Sequence, residues 1–378
     1  METLEELLRE LCERNGSDLH ISAGSPPRIR IDGALVNITN EKMTPELTQR
    51  LMYSVLDSEQ IAKFEKDYEL DISFGIKDMG RFRTNVFRQR GAVGGVFRII
   101  PYDIRGFDEL GLPAELCKSL CMIPKGLILV TGATGSGKSS TLAAMIDHIN
   151  QSRKEHIITI EDPIEFIHEN KGCLINQREI GTDTHGFKNS LRAILRQDPD
   201  CVLIGEMRDQ ETIEAALTIS ETGHLTFATL HTSDSVQTVN RIVDVFPAYQ
   251  QQQIRTMLSF SLQAIFCQQL IPRADGKGRV LACEILIANP AVRALIRDDK
   301  SHQIYSVIQT GGRIGMRTMN QSIYELLTRN LITYEEAMQR STDVEDLKRL
   351  CQKSQAKQDA GYQQPYGYNY QQMQNQGK

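Results

Sequence analysis

GLILVTGATGSGKSS, residues 126–140, decides the fold. The opening GLILVT is an apolar run too short for a helix of its own, and it reads as a buried strand. GATGSGKS (132–139) fits GxxxxGK[ST], and from Lys138 onward the pattern turns helical. Strand, glycine loop and helix together give that spacing a physical meaning. Glycines let backbone N–H groups turn inward around phosphate, and the helix N-terminus adds a favourable dipole. Gly132, Ala133, Thr134, Gly135, Ser136, Gly137, Lys138, Ser139 and Ser140 are therefore the expected nucleotide-binding residues. Lys138 supplies a cation for the β- and γ-phosphates, and the Ser139 hydroxyl can sit on Mg²⁺. The alternative is a chance glycine-rich turn, against which the flanking strand and helix argue.

The strand–loop–helix rhythm repeats in HIITIED (156–162), CVLIGE (201–206) and HLTFATLH (224–231). Such alternation predicts a parallel sheet with helices on its faces. Ligands of open α/β sheets sit outside the carboxyl ends of the strands. Each of these strands ends there in polar groups: Glu161-Asp162-Pro163-Ile164-Glu165, then Gly205-Glu206, then His231. Glu206 is expected in the Mg²⁺ shell, through water because Mg²⁺ gives up its waters reluctantly. Gly205 would leave room for the metal and its waters. The competing reading of Glu206 is an N-terminal acid on the following helix. Asp200 lies at the other end of its strand, roughly 13 Å away at about 3.3 Å per residue, and cannot substitute. Glu165, turned into a loop by Pro163, is expected to orient the attacking water, with Glu161 and Asp162 as rivals. His224 and His231 bracket one strand about 23 Å long and cannot share a metal ion. His231 stands at the phosphate end, where it could sense the γ-phosphate; His224 at the far end suits packing or a subunit contact.

The rest of the chain sets bounds. Its 378 residues suffice for two domains, and a formal net charge of -5 shows none of the basic excess of a nucleic-acid binder. No stretch approaches the roughly 20 apolar residues of a membrane helix. METLEELLREL is acidic and amphipathic, not a secretory signal, so a cytoplasmic location is expected. The 8 cysteines include no CxxC pair and read as free thiols. Residues 1–101 read as a small α+β domain, with a hairpin turning at Asp32-Gly33 and strands such as RFRTNVFRQR whose apolar and basic residues alternate. Residues 102–117 look like a linker and 118–351 like the α/β domain, mostly helical after 235 with a hairpin around DGKGRV. The Gln-, Tyr- and Asn-rich residues 352–378 have no apolar period and are expected to be a disordered tail.

Together these blocks resemble the secretion-ATPase superfamily of P-loop NTPases. There GATGSGKSS is the Walker A box, IEDPIEF an acidic box, LIGEMRD an atypical Walker B with Glu206 for the usual Asp, and TGHLTFATLHT the "His box". The similarity runs from SDLHISAGSPPRIRIDG to about residue 350. Within the superfamily the chain is most similar to the type IV pilus retraction ATPases. It lacks the paired CxxC and longer N-terminal regions of the extension and type II secretion motors. PAVRALIRDDK (290–300) resembles the retraction motif AIRNLIRE, departing from it at Val292, Ala294 and Asp298.

The resemblance implies an α/β protein with a PAS-like N-terminal domain and a RecA-like ATPase domain, forming a homohexameric ring. It implies ATP and Mg²⁺ at the subunit interface, with N-terminal arginines reaching the phosphates. Arg83 and Arg98 are chosen for that role over Arg81; the alternative for each is a solvated face. The expected catalytic set is thus Glu165, Glu206, Lys138, His231, Arg83 and Arg98. Arg293 and Arg297 fall at i,i+4 on the motif helix, away from Val292, Leu295 and Ile296, which without the resemblance is an ordinary amphipathic helix. The implied partners are an inner-membrane platform protein (PilC-like), at the cytoplasmic face of that membrane, and an accessory retraction ATPase. Rival readings are an accessory or extension motor, a RecA-like nucleic-acid translocase, and a scaffold that binds nucleotide without turnover.

Overall fold

In a computed structural model, residues 3–31, 33–77, 79–100 and 103–361 are described, 353–361 by backbone alone. Asp32 of the expected hairpin turn, Pro101-Tyr102 and the tail from 362 lie outside them. The chain divides into two compact units, Met1–Ile104 with Glu165–His168, and Arg105–Ile164 with Glu169–Lys378.

The first unit begins with α1 (Leu4–Glu13). Its leucines 4, 7, 8 and 11 recur at helical spacing and are all buried, and the Thr3 hydroxyl caps it by accepting from Glu6 N. The strands β1 (Asp18–Ile21), β2 (Arg28–Ile31), β3 (Ala34–Asn37), β4 (Glu69–Ile76), β5 (Gly80–Gln89) and β6 (Ala92–Ile100) form one sheet in the order β3-β2-β1-β6-β5-β4. Every neighbouring pair is antiparallel. Helices α2 (Pro45–Tyr53) and α3 (Ser58–Asp67) complete the unit. Phe64, Phe82, Val86 and Phe97 fill its core together with Met52. Gly95 lets Met52 pack close to the sheet, since a Cβ there would stand 2.4 Å from the Met52 sulfur and displace it. The period of two then dictates the other face. Register sets Arg83 opposite Arg98, Arg98 opposite Asp18 and Asp18 opposite Arg30, one row of charge across the sheet.

The second unit is built on a seven-stranded sheet in the order β13-β12-β7-β11-β10-β8-β9. After α4 (Ala114–Cys121) come β7 (Gly126–Thr131), α5 (Lys138–Ser152), β8 (His156–Glu161), β9 (Leu174–Glu179), α6 (Phe187–Ile194) and β10 (Cys201–Ile204). Then follow α7 (Gln210–Glu221), β11 (Leu225–Leu230), α8 (Ser235–Asp244), α9 (Ala248–Ser261), β12 (Leu262–Pro272), β13 (Arg279–Ile287) and α10 (Pro290–Arg297). All strand pairs are parallel except β12 with β13. β7, β10 and β11 are buried at every residue, as strands covered on both faces must be. All 8 cysteines are free, and burial raises the thiols above their ordinary value, Cys121 to about 12.

The structure adds detail to three readings from sequence. After 235 the chain runs through α8 and α9, and only then do the arms of the DGKGRV hairpin, β12 and β13, extend into the main sheet, with β12 beside the phosphate-loop strand. The expected linker 102–117 contains the start of α4, whose Cys117, Leu120 and Cys121 are buried. The last helix, Val344–Gly361, runs through the expected tail boundary at 352.

Candidate active site

β7 delivers the chain to Gly132, whose φ of 138° and close surroundings both demand glycine. A Cβ there would stand 2.4 Å from the Gln268 carbonyl oxygen and 2.6 Å from the Ser136 hydroxyl. Gly135 and Gly137 also have positive φ, 77° and 93°. Gly137 precedes α5, and no side chain caps that helix, so its first N–H groups face the loop without a side-chain acceptor. The Lys138 ammonium donates to the carbonyls of Gly132 and Ala133 at 2.9 and 3.0 Å, which holds a cation against the same loop. Uncapped donors and an ammonium around a glycine cradle fit a polyphosphate. Ser139 and Ser140 are half-buried on the first turn of α5. Among the described residues no group of three or more His, Cys, Asp or Glu gathers to hold a metal unaided. The Ser139 hydroxyl on the first turn of α5 is an oxygen donor of the kind Mg²⁺ takes beside phosphate and water.

Two strands away, Glu206 follows β10. Its Oε1 lies 3.2 Å from His231 Nε2, and its Oε2 accepts from Arg208 Nη2 at 2.8 Å. Burial pushes this carboxyl up, but Arg208 and then His231 outweigh it and leave the group below its ordinary value. The meeting of Glu206 and His231 follows from strand pairing. β10 and β11 run parallel, Met207 N donates to Thr229 O at 3.0 Å, and the Thr229 hydroxyl donates to Gly205 O at 2.5 Å. Arg208 was missed from sequence; its position two residues after Glu206, in a segment with no helical pattern, is the signal that could have found it.

Gly205 has a different neighbour from the one expected. The space its missing side chain leaves belongs to β8: a Cβ would stand 3.2 Å from the Glu161 Cα and 3.2 Å from the Ile160 carbonyl oxygen. The glycine therefore draws two strand ends together. Glu161 itself is buried and accepts from the Thr159 hydroxyl at 2.6 Å and from Gln177 at 3.2 Å. Asp162 and Glu165 are exposed, with Ile164 buried between them and its N–H bonded to Glu179. Glu165 groups with the first unit.

At the opposite end of these strands, the Asp200 carboxylate accepts from His156 N at 2.9 Å, so it ties β10 to β8. His224 Nδ1 lies 3.0 Å from Ile219 O and 3.3 Å from the Thr222 hydroxyl, against the end of α7. The structure thus separates His224 from His231. In the first unit, Arg98 Nε donates to Asp18 at 2.8 Å while its side chain stays largely exposed; Arg83 is exposed beside it and Arg81 is half-buried.

The family model for type II/IV secretion system proteins matches residues 1–365. The chain belongs to this family. Its relatives in the type II/IV secretion family include the type IV pilus retraction ATPase PilT of Pseudomonas aeruginosa, 49% identical over 336 residues, 89% of this chain and 97% of PilT. A twitching motility protein of Neisseria gonorrhoeae is 48% identical, covering 85% of this chain and 86% of its own. The type IV pilus ATPase PilU of P. aeruginosa is 41% identical, with 95% and 93% covered. The crystal structure of the pilus retraction motor PilT with bound ADP superposes with a TM-score of 0.86 at 50% identity, over 91% of this chain and 98% of that one. The α/β architecture, an N-terminal α+β unit followed by a P-loop ATPase unit, is therefore that of the family. No helix among the described residues is long and apolar enough to cross a membrane.

The motif helix α10 buries one face and turns its arginines to the other. Asn289 caps it, and Val292 and Ile296 are fully buried. Its two arginines differ in kind. Arg293 is half-buried and donates to the Ser259 and Phe260 carbonyls at 2.6 and 2.8 Å and to Gln263 at 3.1 Å. It caps the C-terminus of α9, and burial lowers its pKa. Arg297 is exposed, 3.6 Å from Asp298.

Proposed function

We propose that this chain is the ATP-hydrolysing motor of type IV pilus retraction, which withdraws pilin subunits and powers twitching motility. The observation that carries the reading is the phosphate loop set on the same sheet edge as the Glu206–His231 pair, in a chain 49% identical to PilT over nearly the full length of both.

In this reading the N–H groups of residues 132–138 and the Lys138 ammonium bind the phosphates of ATP, with Ser140 on the same helical turn. Magnesium, when bound, neutralises charge on the β- and γ-phosphate oxygens. Ser139 would hold it directly and Glu206 through water. Glu165 orients the attacking water. His231, bonded to Glu206, links the γ-phosphate position to the metal-side carboxylate. In a homohexamer Arg83 and Arg98 of an N-terminal unit neutralise developing charge, so hydrolysis is tied to the position of that unit. The ring works at the cytoplasmic face of the inner membrane against a polytopic, PilC-like platform protein. His224, Arg293 and Arg297 lie outside the chemistry and act through packing or through contacts of the motor. A net charge of -5 supports a protein partner rather than nucleic acid.

A second reading, an accessory retraction ATPase working beside a main motor, is favoured by the 41% identity to PilU and by the motif departures at Val292, Ala294 and Asp298. A deletion strain separates the two. A main motor leaves surplus pili and no twitching; an accessory one leaves weakened retraction. Turnover and twitching measured for Lys138→Ala and Glu206→Ala test the site, and retained turnover in both variants refutes it.

A further inference from the structure

A buried amide in an apolar strand needs a reason. Asn150 and Asn320 each satisfy both ends of the side chain: Asn150 donates to Glu169 O and accepts from Lys171 N and Cys173 N, and Asn320 donates to Asp343 O and accepts from the Ser341 hydroxyl. Gln268 does not. It is 3% exposed, between the fully buried Phe266 and Ile271 of β12, and donates to the Thr141 hydroxyl at 2.7 Å. Its Oε1 has no hydrogen-bond partner among the described residues. Such groups are rare in folded proteins and call for an explanation.

Position supplies one. Pairing of Cys267 with Thr131 sets Gln268 beside Gly132, the first residue of the phosphate loop. The Gln268 carbonyl oxygen lies 2.4 Å from where a Gly132 Cβ would be, and Oε1 lies 4.0 Å from the corresponding point on Gly137, the last residue before α5. Thr141 is in the first turn of α5. One residue therefore lies against the start of the loop, faces its end and is bonded to the helix it leads into. Another buried hydroxyl here, Ser136 Oγ, is likewise without a partner among the described residues and closes on the same face of Gly132. Whichever way the amide is turned, one polar atom serves Thr141 and the other faces the loop.

We propose that Gln268 is a positioning residue for nucleotide binding: from β12 it sets the spacing between Gly132 and the first turn of α5, and so holds Lys138 and Ser139 in place. This rests on the nucleotide-site reading above. It also makes β12 a link between α10 and the phosphate loop, since Arg293 of α10 donates to Gln263 on the same strand.

The test uses the full chain and its Gln268→Leu, Gln268→Glu, Thr141→Val and Lys138→Ala variants. Measured are binding of fluorescently labelled ADP, kcat and KM for ATP, and the melting temperature without nucleotide. Gln268→Leu and Thr141→Val each lose one hydrogen bond, so binding should weaken about three- to tenfold. Gln268→Glu sets a carboxylate beneath an anion site and should weaken binding more than about tenfold. KM should rise in step while kcat at saturation changes less than about threefold, because the residue orients the loop without touching reacting atoms. Melting temperatures close to the parent's, with weakened binding, support the proposal; parent-like binding in all three variants overturns it. If the Gln268 variants melt early, Thr141→Val decides: weakened binding with normal melting upholds the proposal, and parent-like binding sinks it. Lys138→Ala separates the levels. Parent-like ADP binding there would fail the nucleotide-site reading itself, whereas weak binding in Lys138→Ala alone would fail only the role of Gln268.

Discussion

Gly205→Ala tests how the catalytic rim is built. The backbone at 205 is not in the left-handed region, so alanine brings no conformational strain, and the whole effect is steric. The new Cβ would meet two backbone atoms of β8, Glu161 Cα and Ile160 O, each at 3.2 Å. Carbon contacts are comfortable at about 3.5–4.0 Å, so β8 and β10 must part by a few tenths of an ångström at their carboxyl ends. Overpacking of this kind costs about 1–3 kcal/mol. At about 2–4 °C per kcal/mol for a unit of this size, the melting temperature should fall by about 2–12 °C. Glu206 is the next residue, so the displacement is felt where it meets His231. Misplacement near 1 Å can cost about a hundredfold in rate, and kcat is expected to drop about 10- to 100-fold. Affinity for labelled ADP depends on the loop after β7 and should change less than about threefold. Thermal unfolding without nucleotide, steady-state ATPase assays and equilibrium binding measure the three quantities. Gly312→Ala, where a Cβ meets nothing within 4 Å, is the control. A lowered melting temperature with parent-like kcat would show that the packing of β8 on Gly205 does not position Glu206. Unchanged melting would refute the steric estimate.

Asp200→Ala should destabilise the chain by about 1–3 kcal/mol, having removed a charged acceptor from His156 N, yet leave kcat within about threefold; urea unfolding and turnover check both. A loss of turnover comparable to that of Glu206→Ala would reverse the assignment of the two acids. Arg293→Ala should cost about 2–3 kcal/mol, because two α9 carbonyls lose their donor, whereas Arg297→Ala should stay within about 0.5 kcal/mol. Equal effects of the two in urea would contradict the capping geometry. Arg208→Ala should move the acid limb of kcat to higher pH. The folded-state pKa of Glu206 is depressed, so the ionised form and its stabilisation are present above the ordinary carboxylate value and lost as pH falls through the folded one. Removing Arg208 leaves burial, which raises that pKa, opposed by His231 alone. A pH profile identical to the parent's would show that Arg208 does not govern the ionisation of Glu206.

Much of this protein was legible in its sequence because the signals are local. The phosphate loop, the start of α5 at Lys138 and the polar strand ends at Glu206 and His231 follow from short apolar runs, glycines and a change of period within one stretch of chain. The alternation of Arg83 and Arg98 with buried Phe82 and Phe97 likewise needs only a period of two. The hairpin around DGKGRV showed itself, but the reach of its arm β12 into the main sheet did not, because a strand buried on most of its length has little period to read and follows α9 without a break. Tertiary structure alone decided which backbone fills the space at Gly205, that Arg293 caps another helix while Arg297 does not, and that Gln268 sits beneath the phosphate loop. Each of these depends on register between segments far apart in the chain. Strand register is set by the summed burial of whole faces, a quantity that no short stretch of residues contains.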